Sequence, residues 1–348
     1  MIKELSIETR TLHAELMERL SIREAQRNIG NLDGSFSTKT ISGREYLYFQ
    51  HYSAGSGKRS FCLGAKTPAL EELAAQFKTE KRENIDDPIG TRELCAQLIA
   101  GKIAVLPSSI VRVIREMAEC SVFRVGGILV GTQAFACIGN LLGVKWDETT
   151  IFTQDIDIAI EKNISIAVPG LTSDIPKALE SLSMGFLPVP RLNHKHPSTS
   201  FSIRKSPIRV DLLTPKIGPS EDPIYIPRLK AAAQPLSYLG YLIEDPIPAA
   251  VISDDAIVVQ VPQPLKFGLH KLIVSQLRDV TARAKAEKDL YQAYQILSFY
   301  DEERAAELRE VWTELISRGS SWEKYAEAGL KAMEVKFGII PSISGTKV

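Results

Sequence analysis

Cysteine is scarce in this chain, and what there is forms no pairing pattern. Cys62, Cys95, Cys120 and Cys137 are spread unevenly over 348 residues, with no CxxC spacing. A disulfide framework does not look like this, and free thiols in a reducing compartment are the expectation. Net charge is missing too. Lys plus Arg equals Asp plus Glu, at 42 each, which argues against a general nucleic-acid coat and leaves room for a local basic groove. Long apolar runs are also wanting. The one stretch resembling a membrane span, Val125 to Val144, holds Gln133, Asn140 and five glycines, and reads as strand, turn and helix. The first twenty residues are charged and amphipathic, with no signal-peptide core. Together these absences point to a cytoplasmic protein with no membrane partner.

What is present is ordinary globular composition, 44% hydrophobic and 24% charged, on a chain long enough for two or three domains. Leu12, Leu16 and Leu20 recur at helical spacing in a segment that Gly30 stops. Two β-rich runs, Tyr46 to His51 and Ser60 to Leu63, flank a Gly/Ser turn and read as a hairpin. Its tip, "AGSGKRS", is not a phosphate loop: that motif needs Gly where Tyr52 stands and Ser or Thr where Arg59 stands. Alternation turns Leu47 and Phe49 inward and leaves Tyr46 and Tyr48 at least partly exposed. With Lys58 and Arg59 nearby, this surface either selects an acceptor or packs on a neighbouring element.

Residues 68 to 120 read as helices, broken at Pro107. From Val122 the pattern becomes strand ("VFRVGGILVG"), helix closed near Gly143, strand ("TIFTQDIDIAI"), and helix capped by Ser173 or Asp174. Two hairpins follow, turning at Ser206-Pro207 and at Asp254-Asp255. Residues from Pro264 to about Phe337 read as helical.

The chemistry gathers in the middle. Asp155 and Asp157 sit one residue apart in an apolar strand, so their carboxylates lean to the same face and repel. Something positive must offset that, a divalent cation or a Lys/Arg cluster. A third carboxylate, Asp211, stands alone between Val210 and Leu212 on a later strand. Three aspartates on neighbouring strands, facing the Gly131-Thr132 turn, are the parts of a two-metal phosphoryl-transfer site. Magnesium favours oxygen ligands and substrate phosphates. The helix starting near Gln133 would aim its positive end at those phosphates.

"GILVGTQAFACIGNLLGV", "TQDIDIAI" and "IRVDLL" resemble the three motifs of the DNA polymerase β-type nucleotidyltransferase superfamily. The closest flavour is the bacterial nucleotidyltransferase-fold group that includes abortive-infection-type toxins. There a helical region after the third acidic strand carries a Lys and a Lys/Arg-Asp pair, a layout matched by "PLKFGLHKLIVSQLRD" and "EKDLYQAYQIL". The resemblance implies that Asp155 and Asp157 are shared ligands of two Mg²⁺ ions. It makes Asp211 a ligand of the catalytic metal, sets Gly131 and Thr132 on an NTP's triphosphate, and puts Lys271 near the phosphates. The turn has Gly-Thr where the superfamily has Gly-Gly or Gly-Ser, and the gap from Gly131 to Asp155 is longer than in minimal members.

The expected fold is α+β. A central mixed-sheet nucleotidyltransferase domain, residues 111 to 263, lies between an N-terminal helix-hairpin-helix region, 1 to 110, and a C-terminal helical region, 264 to 348. The expected reaction moves an NMP from an NTP to an acceptor hydroxyl, whether on tRNA, protein or a small molecule. Two alternatives stay open: a toxin or defence module held by a protein partner, and a non-catalytic nucleotide- or nucleic-acid-binding protein on the same fold. Lys271, Arg278 and Lys285 recur every seven residues, as either one basic helix face or ordinary solvated lysines and arginine. Arg204, Lys205 and Arg209 flank the last acidic strand. His194 and His196 lie in a polar loop before Pro197 and read as loop residues rather than ligands.

Overall fold

The structure, a computed structural model, describes residues 3–25, 35–41, 43–53, 57–83, 88–147, 153–162, 172–191, 193, 195–338, 341 and 343. The chain begins with strand β1 (Lys3–Glu4) and helix α1 (Ile7–Ala25). A three-stranded antiparallel sheet follows, β2 (Ser35–Ile41), β3 (Arg44–Ser53) and β4 (Gly57–Ala65). The expected hairpin is β3–β4; β2 is an addition. Leu47 is buried and Phe49 packs edge-on against Phe36 and Phe77, while Tyr46 and Tyr48 are both half-buried, so the tyrosines stay partly exposed as alternation requires. Helices α2 (Pro68–Glu83), α3 (Pro88–Ala100) and α4 (Ser108–Glu119) come next. Ile110, Val111, Val113, Ile114 and Met117 fill the buried stripe of α4.

The central elements are β5 (Ile128–Val130), α5 (Gly131–Leu142), β6 (Val144–Lys145), β7 (Asp155–Ala159), α6 (Ile175–Ser181), β8 (Phe186–Pro188), β9 (Ser200–Ile203), β10 (Arg209–Pro215), β11 (Ile224–Ile226), β12 (Ala231–Leu236), α7 (Leu239–Ile243), β13 (Ile247–Ile252) and β14 (Ala256–Val261). Four helices close the chain: α8 (Pro264–Leu277), α9 (Arg283–Glu303), α10 (Ala305–Ser317) and α11 (Ser320–Phe337). This is the expected α+β architecture, with a mixed sheet between N-terminal elements and C-terminal helices.

Among the described residues, the main sheet runs β11-β12-β10-β7-β5, with β9 and β8 added beside β10. Strands β7, β10 and β12 are parallel neighbours; β5 and β11 run antiparallel to theirs. The outer edge of β10 is divided: β9 pairs with residues 209–211 and β12 with 213–215. The N-terminal helix is not remote from this sheet. Leu16 and Leu20 of α1 and Leu98 of α3 share a core with Ala250, Ile252 and Ala256 of the β13–β14 hairpin. Asn140 of α5 clamps Ala104 through both its N–H and its C=O, at 3.0 and 2.9 Å.

One expected element is shorter than the sequence implies. "VFRVGGILVG" is strand only over Ile128–Val130; residues 121–126 form a turn after α4. The glycine pair explains this. Gly126 has φ +94°, and Gly127 donates to the Val122 carbonyl at 2.9 Å, an approach that any side chain at 127 would block. The expected cap of α6 resolves to Asp174, which accepts from the Lys177 N–H at 3.2 Å.

Candidate active site

Alternation in two parallel strands sets the floor of the site. In β7, Ile156 and Ile158 are fully buried, which turns Asp155 and Asp157 to the other face. In β10, Val210 and Leu212 are buried and Arg209, Asp211 and Leu213 face the same side as the β7 carboxylates. The register places Arg209 opposite Asp155 and Asp211 opposite Asp157. Neighbouring strands lie about 4.8 Å apart, so these carboxylates crowd one another. The Asp157 carboxyl is pushed up to about 7, by burial first and then by the Asp211 charge; Lys271 pulls the other way.

Asp211 is held from its own side. Its Oδ1 accepts from the Ser200 hydroxyl and from Arg209 Nε, the latter at 2.8 Å, and Arg209 also donates to Ser200 Oγ at 2.9 Å. Ser200 lies opposite Asp211 in the β9–β10 ladder.

The third wall is the start of α5. Gly131 has φ +68°, and a Cβ there would run into the Asp157 carboxylate. Only glycine lets the chain turn from β5 into α5 this close to Asp157. Among the described residues, no side chain caps the first turn of α5. Thr132 follows, its Oγ1 accepting from Lys288 Nζ of α9 at 2.9 Å.

The C-terminal helices supply the cations. Lys271 Nζ donates to Asp289 Oδ1 at 2.6 Å, and Arg278 Nε to Asp289 Oδ2 at 3.0 Å. Burial alone would raise the Asp289 carboxyl, but the two cations outweigh it and hold it below the usual carboxylate range. Burial, followed by the Lys271 charge, lowers Lys288. His270 is driven down to about 3 by burial, then by Lys271, and is neutral.

These groups line one cavity of about 930 Å³. All six residues singled out in the sequence reach it: Gly131, Thr132, Asp155, Asp157, Asp211 and Lys271. Lys271, Arg278 and Lys285 reach it as well, but not from one helix face. Helix α8 ends at Leu277, and Lys285 belongs to α9. Arg209 lines the cavity; Arg204 and Lys205 do not, lying at the β9–β10 turn. His196 faces Asp222 at 3.5 Å, and His194 lies outside the described residues. The side chains of Lys58 and Arg59 lie outside them too. Among the described residues, no group of three or more His, Cys, Asp or Glu side chains is gathered closely enough to hold a metal ion. No described helix is long and apolar enough to cross a membrane.

Sequence reasoning assigned no role to Ser200, Lys288 or Asp289. The resemblance marks the last two as the Lys-Asp pair of "EKDLYQAYQIL", and that pair was their signal. Ser200 had none, because only the β9–β10 register brings it to Asp211.

A family model described as Nucleotidyltransferase matches residues 108–317, a stretch that contains every one of these cavity groups. No curated protein matches the chain. A solved structure, an antigenic nucleotidyltransferase-like protein from Paracoccidioides brasiliensis, is similar at 13% identity and a TM-score of 0.33, covering 65% of this chain and 95% of that one.

Proposed function

The chain belongs to the nucleotidyltransferase family matched over residues 108–317, and from that premise we propose that it moves a nucleoside monophosphate from an NTP to an acceptor hydroxyl, releasing pyrophosphate. One arrangement carries the reading: Gly131 backs directly onto Asp157, which stands opposite Asp211. A phosphate-accepting turn and two carboxylate strands thus meet at one point.

In this reading the triphosphate lies at Gly131 and Thr132, where the uncapped N–H groups and positive end of α5 favour anionic charge. Lys288 and Lys271 add positive charge from above. The acceptor enters on the β10 side. Its hydroxyl oxygen bonds to the α-phosphorus as the bridging bond to the β-phosphate breaks. Pyrophosphate leaves with that electron pair, and the hydroxyl proton passes to the Asp211 carboxylate. Arg209 and Ser200 fix one oxygen of that carboxylate and so orient it.

Asp155, Asp157 and Asp211 would hold two Mg²⁺ ions, which when bound supply charge neutralisation on the phosphates and a more acidic acceptor hydroxyl. The donor set fits in kind, being all carboxylate oxygen on one face. The raised Asp157 carboxyl fits as well, since a cation would offset the burial first, and then the Asp211 repulsion, that raise it. The catalytic domain of this proposal is residues 111 to 263, with 264 to 348 contributing the cations. All four cysteines are unpaired, which supports a cytoplasmic setting.

Incubation with each labelled NTP in turn, Mg²⁺ and total cell extract tests the reading. Label should enter one fraction with the parent protein and none with Asp157→Asn. Absence of transfer from every NTP would overturn it.

A further inference from the structure

The cavity extends well beyond the carboxylates, and its far wall carries a cation that nothing in the proposed reaction uses. Arg191 lies there. Its NH1 donates to Thr199 Oγ1 at 3.2 Å and to Gln234 Oε1 at 2.7 Å. Both partners are neutral. No carboxylate pairs with Arg191 among the described residues. The acidic side chain nearest in the chain of contacts, Glu221, pairs with Lys216 at 3.0 Å, while its backbone carbonyl accepts from Gln234. Arg191 is therefore a guanidinium held in position with its charge left over. With NH1 taken, its Nε and NH2 edge remains, the fork that grips two oxygens of one anion.

The sheet order decides which end of the substrate this serves. Gln234 is in β12, in register with Leu213 of β10. Thr132 follows β5 at the other side. The path β12-β10-β7-β5 has three ladder steps, so Arg191 and the phosphate turn stand roughly 14 Å apart, with Asp211 and Asp157 between them. Leu213 and Asp211 share a face, two residues or about 7 Å apart. Arg191 is thus a neighbour of Asp211 on the side away from the triphosphate. Arg209, opposite Ser202, lies two residues from Asp211 in the other direction along β10, and its guanidinium is taken up by Asp211 and Ser200. Arg191 therefore holds the charge left over on this wall, and its fork matches the paired oxygens of a phosphate.

Resting on the transfer reading above, we infer that Arg191 is the anchor of the acceptor, and that the acceptor is a sugar carrying both the reacting hydroxyl and a phosphate. The phosphate sits on the Arg191 fork and presents the hydroxyl to Asp211. The terminal nucleotide of a nucleic acid and a free sugar phosphate share this chemistry.

Calorimetric titration of the full chain tests it, with four probes: ribose 5-phosphate, ribose, a short oligoribonucleotide with a free 3′-hydroxyl, and an NTP with Mg²⁺. The parent should bind a phosphate-bearing probe and ignore ribose. Arg191→Gln should weaken that probe at least tenfold, as expected for a lost charge-assisted fork. Arg191→Lys, keeping the charge without the fork, should fall in between, and both variants should bind NTP within about twofold of the parent. Much tighter, salt-sensitive binding of the oligonucleotide than of ribose 5-phosphate would assign the phosphate to a nucleic acid; equal binding would assign it to a free sugar phosphate. The inference is overturned, with the transfer reading intact, if neither phosphate probe outbinds ribose while NTP binds. It is equally overturned if Arg191→Gln weakens NTP as much as the acceptor probe. Absence of NTP binding to the parent overturns the transfer reading itself, and this inference with it.

Discussion

Asp211 stands directly opposite Asp157 across the parallel pair of β7 and β10, and the folded chain must keep the two carboxylates in that register. The relationship has a cost as well as a use. The Asp157 carboxyl titrates near 7 in the folded state against 3.8 ordinarily, so the folded chain holds this proton more tightly than the unfolded one. Ionising it lowers stability. The penalty is absent below about pH 3.8, grows as pH rises, and is complete above about pH 7. Without Mg²⁺, Asp157→Asn should therefore be more stable than the parent at pH 8, on the order of 2–4 kcal/mol, and nearly equal to it at about pH 4. Paired thermal melts at the two pH values check this. The same variant should show no nucleotide transfer.

Asp211→Asn should separate chemistry from binding. In the proposed reaction Asp211 faces the acceptor, while Asp157 lies against the Gly131 turn that takes the phosphates. Turnover should fall by about 10²–10⁴-fold, as for loss of a positioned proton acceptor, while NTP affinity changes little. Single-turnover rates and equilibrium NTP binding, measured together, decide it. Equal losses in both would move Asp211 to the phosphate side.

Gly131→Ala adds one methyl group and should be among the most damaging small changes in the chain. It forces a side chain into φ +68° and against the Asp157 carboxylate. A stability loss of about 1–3 kcal/mol is expected, with NTP binding reduced more than the fold. Denaturant midpoints and NTP titration give the two numbers.

Lys288 and Asp289 are adjacent but should fail differently. Lys288→Met keeps the stem and removes the charge from Thr132, so NTP affinity should drop about tenfold with stability within about 1 kcal/mol. Asp289→Asn leaves Lys271 and Arg278 facing a neutral buried group, and should cost about 3 kcal/mol or more. Urea unfolding of both variants, beside NTP titration, distinguishes a phosphate contact from a structural hub.

The acidic strands were legible because charge inside an apolar alternation is locally anomalous: Asp155, Asp157 and Asp211 all break runs of Ile, Val and Leu. Gly131 was legible because a strand-to-helix turn needs it. Arg191 and Ser200 were not, since each acquires its position from a strand register that no short window encodes. Strand β12, "AAAQPL", hid for another reason. Alanine has little β-propensity and a proline interrupts it, yet the three alanines are buried and the strand pairs on both sides. Of the two readings of the seven-residue recurrence of Lys271, Arg278 and Lys285, the single helix face fails on geometry. The helix ends within it, and the three cations reach the cavity from α8, from the residue that follows it and from α9.

The stretch that matches the family starts at residue 108, but the fold does not. Strand β1 pairs with β6, directly after the helix that begins at Gly131, and the Leu5 N–H donates to the Gly143 carbonyl at 2.8 Å. A chain trimmed to begin at residue 108 would lose that ladder, uncover the apolar backs of Ala250, Ile252 and Ala256, and leave Asn140 with no Ala104 to clamp. The first helix is in this sense a keystone laid from outside. The segment to remove without toppling the arch is the β2–β3–β4 sheet together with α2, since Phe36 and Phe49 of the sheet pack on Phe77 of that helix.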